Sequence, residues 1–564
     1  MFTKQSDRHS RFYDSPRKGY RFRLGTLRSE ISNAPRGTVL LLVLVVVMLL
    51  SLGAYIFAET MVSERAATEM YARKVVTRTA ADSGIEYVAA ILDQRSNRFT
   101  LDINHNPMLF QGIEMQSSER VAGRARFSIV APVESDPAFA SIRFGLVDES
   151  GKLNLNTLLP KQRKKRRFDE VDDSDPIIKS ESERAEVELP RQRLLRLPGM
   201  THELADAILD WLDEDDLPRQ YGAENEYYAN LNRQTRNGPI QSLDELLFVR
   251  GVSRELIYGE DANLNGLLDP NENDGAQTPP LDNADGILDR GWSAVLTVDS
   301  RETNLRADGA ARINVNGGAL DDLKQKLTAA FGEEVAEFVI AFRTYGPATG
   351  KPVGGEQNST PGENQAAASV EGTATDTARE IRSLYELIGS EVTVPGKQTL
   401  QSPWSSEASS IQRQLPAILE KLTISDEPFI KGRININQAR REVLLGVPGL
   451  DQQLVDAIIN SQAMLSRSAP SSNGYYARST TAWLLVEGLV DLETMRNLDR
   501  YLTARGDVFR LQVVGYYQER GPTTRLEAVV DATRRPSKLI SIRDLSAWGA
   551  GYSHEQLNLP AASR

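Results

Sequence analysis

Residues 38–58 read TVLLLVLVVVMLLSLGAYIFA, and the reading of this stretch decides the fold of everything after it. It runs without a charge for about 21 residues, which as a helix rising ~1.5 Å per residue spans roughly 30 Å, the hydrocarbon core of a bilayer. A secretory signal has an apolar region of only about 7–15 residues, followed by a small-residue cleavage site. Here Glu59 ends the run with no Ala-x-Ala pattern. Residues 1–36 hold nine Lys/Arg against three Asp/Glu, and basic flanks stay in the cytoplasm. The expectation is a single-pass anchor with its N-terminus inside and the bulk of the chain outside.

The chain has 564 residues, 40% of them apolar and 25% charged, enough for several packed domains. A net charge of −11 does not invite nucleic acid. With no Cys, there are no disulfides, no zinc–thiolate sites and no cysteine nucleophile. Only four His occur (His9, His105, His202 and His554), far apart in sequence. A catalytic triad or a His-based metal centre therefore has little support, and no enzymatic constellation stands out. An extracytoplasmic chain without disulfides can hold its loops with hard cations on oxygen ligands.

Residues 59–94 continue as helix. Alternating stretches follow at RVAGRARFSIVAPVE (120–134) and ASIRFGLVDESGKLNLNT (140–157). A charge-dense linker, 161–190, is expected as a solvated loop. Residues 193–256 read helical, 259–290 as a polar loop region, GWSAVLTVDS (291–300) as a strand, and 319–343 as helices. Low-complexity sequence fills 346–376. Helices are expected again at 410–422, 437–462 and 491–504. The chain closes on strands, with Val508–Tyr516 and Thr524–Val530 alternating around ERGPT as a hairpin. Strands early, helices in the middle and strands late point to an α+β fold in which the early and late strands share one sheet around an inserted helical module. The expected divisions are a basic leader 1–37, a transmembrane helix 38–58 with its continuation 59–95, and a sheet from 120–158 with 505–549. A linker 159–192, a helical domain 193–290, an extension 291–345, a linker 346–380 and a second helical part 381–504 make up the rest. GKLNLNTLL (151–159), ARINVNGGAL (311–320) and GRININQARREVLLGVPGL (432–450) echo one another, and Asn437 in the third is expected to cap a helix.

The sharpest local motif is DANLNGLLDPNE, 261–272. Asp261, Asn263, Asn265, Leu267, Asp269 and Glu272 fall at positions 1, 3, 5, 7, 9 and 12 of an EF-hand loop, and Gly266 at its sharp turn. Calcium needs six to eight oxygens, and this spacing supplies side chains, one backbone carbonyl and a final carboxylate. Two Asn in place of Asp lower the charge, so modest affinity is expected. A weaker relative, LDNADGILDRGW (281–292), places Asn283, Asp285, Gly286 and Asp289 correctly but has Leu281 and Trp292 at its ends. A third acidic block, ILDWLDEDDLPRQYG (208–222), crowds Asp210, Asp213, Asp215 and Asp216 at a helix C-terminus, where the dipole prefers cations. Either a second calcium ion or Arg219 should compensate. LRLPGMTHELADAIL (195–209) and LLGVPGLDQQLVDAII (444–459) have the shape of helix-hairpin-helix turns. Phosphate binding needs Lys/Arg beside the turn; the first is followed by acid, and the second has Arg440 and Arg441 one helix earlier and Asp451 and Asp456 after it.

Taken in order, VDESGKLNLNTL, ILDWLDEDDLPRQYGAENEYYANL, NGPIQSLDELLFVRGVS, RININQARREVLLGVPGL and the strands ending near SIRDLSAW resemble the general secretion pathway protein K family of type II secretion minor pseudopilins. The resemblance covers most of residues 34–256 and 430–549. It implies a prepilin-type leader cut by a prepilin peptidase between Gly37 and Thr38, and a pilin-like helix and antiparallel sheet. It also implies a large inserted, mainly helical domain of helix-hairpin-helix or SAM-like type that holds calcium. The implied place is the inner membrane, with the bulk in the periplasm, at a pseudopilus tip beside other minor pseudopilins and the secretion platform. Pilin-like chains carry Glu at the fifth mature position; Leu42 stands there, as is typical of this family. The long leader and the segment 273–430 are departures from the family's usual size. A different expectation from the hairpin turns is a membrane-anchored DNA receptor of a competence-like uptake system.

Overall fold

The computed structural model describes residues 36–94, 101–134, 136, 141–159, 181–348, 379–396, 399–467, 478–519 and 521–558. The expected leader before residue 36, and residues 349–378 of the expected linker, lie outside these. The chain divides into two units, residues 1–69 and 70–564.

In the first unit the described residues form the beginning of helix α1 (Arg36–Asp93). Among the described residues it is the helix long and apolar enough to cross a membrane, with a mean hydropathy of 3.0 in its most apolar window. Every side chain from Thr38 to Glu69 is exposed, as suits a surface meant for lipid or other helices rather than for this chain's own core.

The second unit begins with the rest of α1, whose Ala80, Ala81, Ile85, Val88 and Leu92 are buried on one face. They pack on an antiparallel sheet built from both ends of the sequence. Strands β1 (Ile113–Gln116), β2 (Ala125–Pro132), β3 (Ile142–Phe144) and β4 (Val147–Asp148) precede the helical region, and β5 (Val508–Tyr517), β6 (Thr524–Asp531) and β7 (Lys538–Asp544) follow it. The order is β1-β2-β5-β6-β7, with β3 on β2 and β4 on β5. The register pairs Phe127 with Gly515 and Ile129 with Val513. Helix and sheet approach closely because small residues face each other, and Thr77 and Thr524 share a buried hydroxyl hydrogen bond of 2.9 Å. The hairpin expected around ERGPT joins β5 to β6.

Between the two halves of the sheet the chain repeats one arrangement three times. Leu153–Asn154 pairs in parallel with Leu296–Thr297, Ile313–Asn314 with Leu422–Thr423, and Ile434–Asn435 with Leu502–Thr503. In each, the first Asn side chain accepts the N–H of the second: Asn156 to Asn154 at 3.0 Å, Asn316 to Asn314 at 2.9 Å, Asn437 to Asn435 at 3.0 Å. The second Asn then donates to the carbonyl just after the threonine strand, on Val298, Ile424 and Ala504. These bonds cross the expected divisions at 290 and 380. The repeated Asn echo is therefore a structural clamp. Asn437 does not cap the following helix: Arg440 holds that position, and the Asn437 amide donates to Arg478 and Ala504 carbonyls.

Three further expectations change. The stretch 291–300 holds a 3-10 turn, Gly291–Ala294, and only a two-residue strand, Leu296–Thr297, because the Asp299 N–H turns back to the Thr297 hydroxyl at 3.4 Å and leaves the ladder. Residues 181–190 of the expected loop are helical (Glu181–Leu195). The last expected helix stops at Leu498, and Leu502–Thr503 is strand.

Candidate calcium sites and the membrane-proximal helix

The amphipathic helix His202–Leu212 starts at a Thr201 side-chain cap and buries Leu204, Ile208 and Leu209. That orientation carries Asp210 inward, fully buried, with Asp213 one turn on. The chain returns past Gly222, which lies so close to Asp210 that a Cβ there would come to 1.7 Å of its carboxylate. It then delivers Glu224, 3% exposed. One carboxylate oxygen from each of Asp210, Asp213 and Glu224 lies within 4.8 Å of the others. Arg219 Nη1 meets Asp210 Oδ1 at 2.6 Å and also pairs with Asp213. Burial raises all three acids, and repulsion from Asp210, Asp213 and Asp216 adds to the burial of Glu224, pushed up to about 8. Neither oxygen of Glu224 makes a hydrogen bond of ordinary geometry, although the Thr235 hydroxyl stands near. Three converging carboxylates and one guanidinium leave an excess of negative charge, and a hard divalent cation on oxygen ligands fits that donor set.

This differs from the expected ligand set. Asp215 and Asp216 are exposed and occupied otherwise: Asp215 accepts the Leu217 N–H at 3.0 Å and Asp216 the Asn225 amide at 2.8 Å. The carboxylate that lies beside Asp210 and Asp213 is that of Glu224. It lies 14 residues beyond Asp210, and no helical spacing connects the two, so pattern reading missed it.

The loop 261–272 is a tight turn held by its own side chains. Asp261 accepts the Asn265 and Gly266 N–H groups at 3.1 and 3.0 Å, and Glu272 those of Ala262 and Asp269 at 2.9 and 3.1 Å. Gly266 has φ +70°, the left-handed turn that the motif requires. Asn263 and Asn265 both donate to Asp269, at 2.6 and 3.0 Å. Asp261 and Glu272 are 5% and 1% exposed. Burial raises both, Glu272 to about 7. Both oxygens of each buried acid accept backbone N–H groups, which supports the charged form despite burial. The loop also sits on the sheet: Leu267 joins its core, Gln512 donates to the Leu264 carbonyl at 2.7 Å, and Tyr552 to that of Asn265 at 2.8 Å.

The weaker loop copies this geometry. Asp285 N–H donates to Asn283 at 2.9 Å and Ile287 N–H to Asp285 at 2.8 Å. Its missing terminal carboxylate is supplied from outside the motif by Glu260, which accepts the Asn283 and Asp289 N–H groups at 3.3 and 3.2 Å. At the other end of the chain, Gly37, Thr38 and Leu42 lie in the first turns of α1.

The family model for the first domain of type II secretion system protein K matches residues 151–258. That span holds the first strand and clamp of the first repeat together with Asp210, Asp213 and Glu224. No curated protein matches the chain. A solved structure, "The Crystal Structure of the GspK-GspI-GspJ complex from enterotoxigenic Escherichia coli Type 2 Secretion System", aligns over 85% of this chain and 99% of that chain. The identity is 10% and the TM-score 0.31, too loose a likeness to carry any argument. The residues similar to the first domain of type II secretion system protein K thus lie between the two halves of the antiparallel sheet, in a chain that also carries a long apolar helix.

Proposed function

We propose that the chain is a minor pseudopilin that helps initiate or cap the pseudopilus of a type II protein secretion system. The observation that carries this is the protein K match at residues 151–258, in a chain whose long apolar helix leads into an antiparallel sheet. The role is assembly rather than catalysis. Helix α1 anchors the chain in the inner membrane, N-terminus inside, after a prepilin peptidase cuts between Gly37 and Thr38. The outer domain stands in the periplasm and meets other minor pseudopilins and the secretion platform. Calcium is held by Asp210, Asp213 and Glu224, and by Asp261, Asn263, Asn265, the Leu267 carbonyl, Asp269 and Glu272. Bound there, it neutralises buried carboxylates and ties the loop to the sheet.

Mass spectrometry of the mature N-terminus tests the reading. A start at Thr38 and co-purification with other minor pseudopilins are expected; an intact leader on the assembled protein overturns it. The DNA-receptor reading gains nothing from the turns at Gly199 and Gly449, which are followed by Glu203 and Asp451 rather than by cations.

A further inference from the structure

The three repeats place a cation at the same point, two residues before the first Asn of each clamp: Lys152, Arg312 and Arg433. In the first repeat Lys152 lies 3.0 Å from Glu149, and the Thr297 hydroxyl donates to the other oxygen of that glutamate. In the third, Arg433 lies 3.5 Å from Glu302, and the Thr503 hydroxyl donates to Glu302 at 2.9 Å. A buried glutamate thus links the cation of one strand to the threonine of its partner strand in both outer repeats. The middle repeat has the same cation, Arg312, and the same threonine, Thr423, with no glutamate between them. Thr423 keeps only the bond to the carbonyl two residues on, Ser425 at 3.4 Å, which Thr297 and Thr503 also make to Asp299 and Arg505. Three residues before the cation, where the first repeat has Glu149, the middle one has Gly309.

Arg312 makes no hydrogen bond or ion pair among the described residues, and its Nε is buried without a partner. The nearest acids are already engaged. Glu302 serves Arg433 and Arg505 (3.7 Å) as well as Thr503. Glu420 takes Arg505 at 3.6 Å and the Ala307 N–H. Three guanidiniums share two carboxylates. Arg312 also lines a cleft of about 530 Å³ with Arg306, Asn314, Asp322, Lys326 and Asp426. Of these, Asp322 is held by Lys326 at 2.6 Å and Arg306 pairs with Asp308 at 2.6 Å, while Asp426 is exposed.

We propose that this cleft binds a carboxylate carried by a partner polypeptide, an Asp or Glu side chain that fills the place Glu149 and Glu302 hold in the other two repeats. The guanidinium offers the planar fork that suits a carboxylate. The sister sites show that the matching group is a glutamate side chain borne on a backbone.

The test is thermal unfolding of the detergent-solubilised full chain, followed by tryptophan emission, because Trp404 is buried in the core of the same repeat. The probes are acetyl-Gly-Glu-Gly-amide, its Gln counterpart, and sodium acetate at matched ionic strength. The Glu peptide should raise the midpoint by about 2–4 °C at saturating concentration, with no rise from the Gln peptide or from acetate. Arg312→Gln should melt like the unvaried chain and lose the response, since Arg312 has no partner to give up. Should that variant melt early, Arg312→Lys replaces it and is expected to show less than half the rise. No rise, or an equal rise in the variant, overturns the proposal. An equal rise with acetate also overturns it, since the site would then take free anions.

Discussion

Asn156 and Ile240 exchange two hydrogen bonds across 84 residues of chain: the Asn156 amide donates to the Ile240 carbonyl at 2.8 Å, and the Ile240 N–H returns to Asn156 Oδ1 at 2.9 Å. Asn316 and Ile381 do the same at 2.8 and 2.9 Å. Each isoleucine opens one sequence, IQSLDELL (240–247) or IRSLYELI (381–388), and each turn begins on a serine cap, Ser242 or Ser383. Replacing Asn156 or Asn316 by Ala strands a part-buried N–H and two carbonyls. The loss should be about 2–4 kcal/mol, read as a lowered midpoint in chemical unfolding. Asn→Asp at the same positions turns a carboxylate oxygen onto the two carbonyls, and should cost at least as much at neutral pH.

Calcium should stabilise the chain. Added to protein stripped by a chelator, at about 100 times its dissociation constant, it should contribute about 2.7 kcal/mol per site. Glu224→Gln and Asp261→Asn should each abolish part of that gain, and the double variant all of it. Asp215→Asn should leave it unchanged, which separates the cluster of Asp210, Asp213 and Glu224 from the set the acidic run suggests. Calorimetric titration with calcium reads all four.

Asp148 gives a pH dependence. Burial raises it from the usual 3.8 to about 7, the Asn435 amide and Ser150 N–H relieve part of this, and Asp507 adds repulsion. The folded chain therefore prefers the protonated acid. The stability this contributes is whole below 3.8 and is lost as pH rises towards about 7. Urea unfolding in saturating calcium should show the native chain losing stability from pH 4.5 to 7.5, at up to about 1.4 kcal/mol per pH unit from this group. Asp148→Asn should flatten that part of the profile.

Gly515 sits where α1 crosses β5, and a Cβ there would meet the Thr77 carbonyl oxygen at 2.1 Å. Backbone on both sides cannot yield as a side chain would. Gly515→Ala should destabilise the sheet by about 1–3 kcal/mol or more and Gly515→Val further. Amide exchange should rise first in β2, β5 and β6.

On the proposed function Leu42 belongs to a subunit at the end of a filament: a Glu there would neutralise a neighbour's N-terminal amine, and a terminal subunit has no such neighbour. Leu42→Glu should leave membrane insertion intact and disturb tip placement, measured by fractionation and by crosslinking to other minor pseudopilins. Unchanged placement would sink the idea.

Periodicity and spacing carried much of this architecture in the sequence. The uncharged run at 38–58, the alternation at 125–132 and 508–530, and the EF-hand spacing from Asp261 to Glu272 each state their own local structure, because each depends on neighbours in the chain. What stayed hidden depends on distant residues. Glu224 reaches Asp210 through a turn, Glu260 completes a loop that starts more than 20 residues later, and Glu302 serves an arginine at 433. The repeats were half visible as Asn pairs. Inserted segments of unequal length separate their parts, so the matching isoleucine turns at 240 and 381 fall at no fixed period.

Ser128 and Tyr516 share a buried hydrogen bond of 3.1 Å although 388 residues separate them. Everything between is thereby a ring, and the β2–β5 ladder is its clasp. A single break in the backbone anywhere from residue 149 to residue 505 leaves two fragments that both end in the same sheet. A nicked chain should therefore stay one particle until the ladder itself opens, and the two halves, made separately, carry the complementary edges needed to find each other.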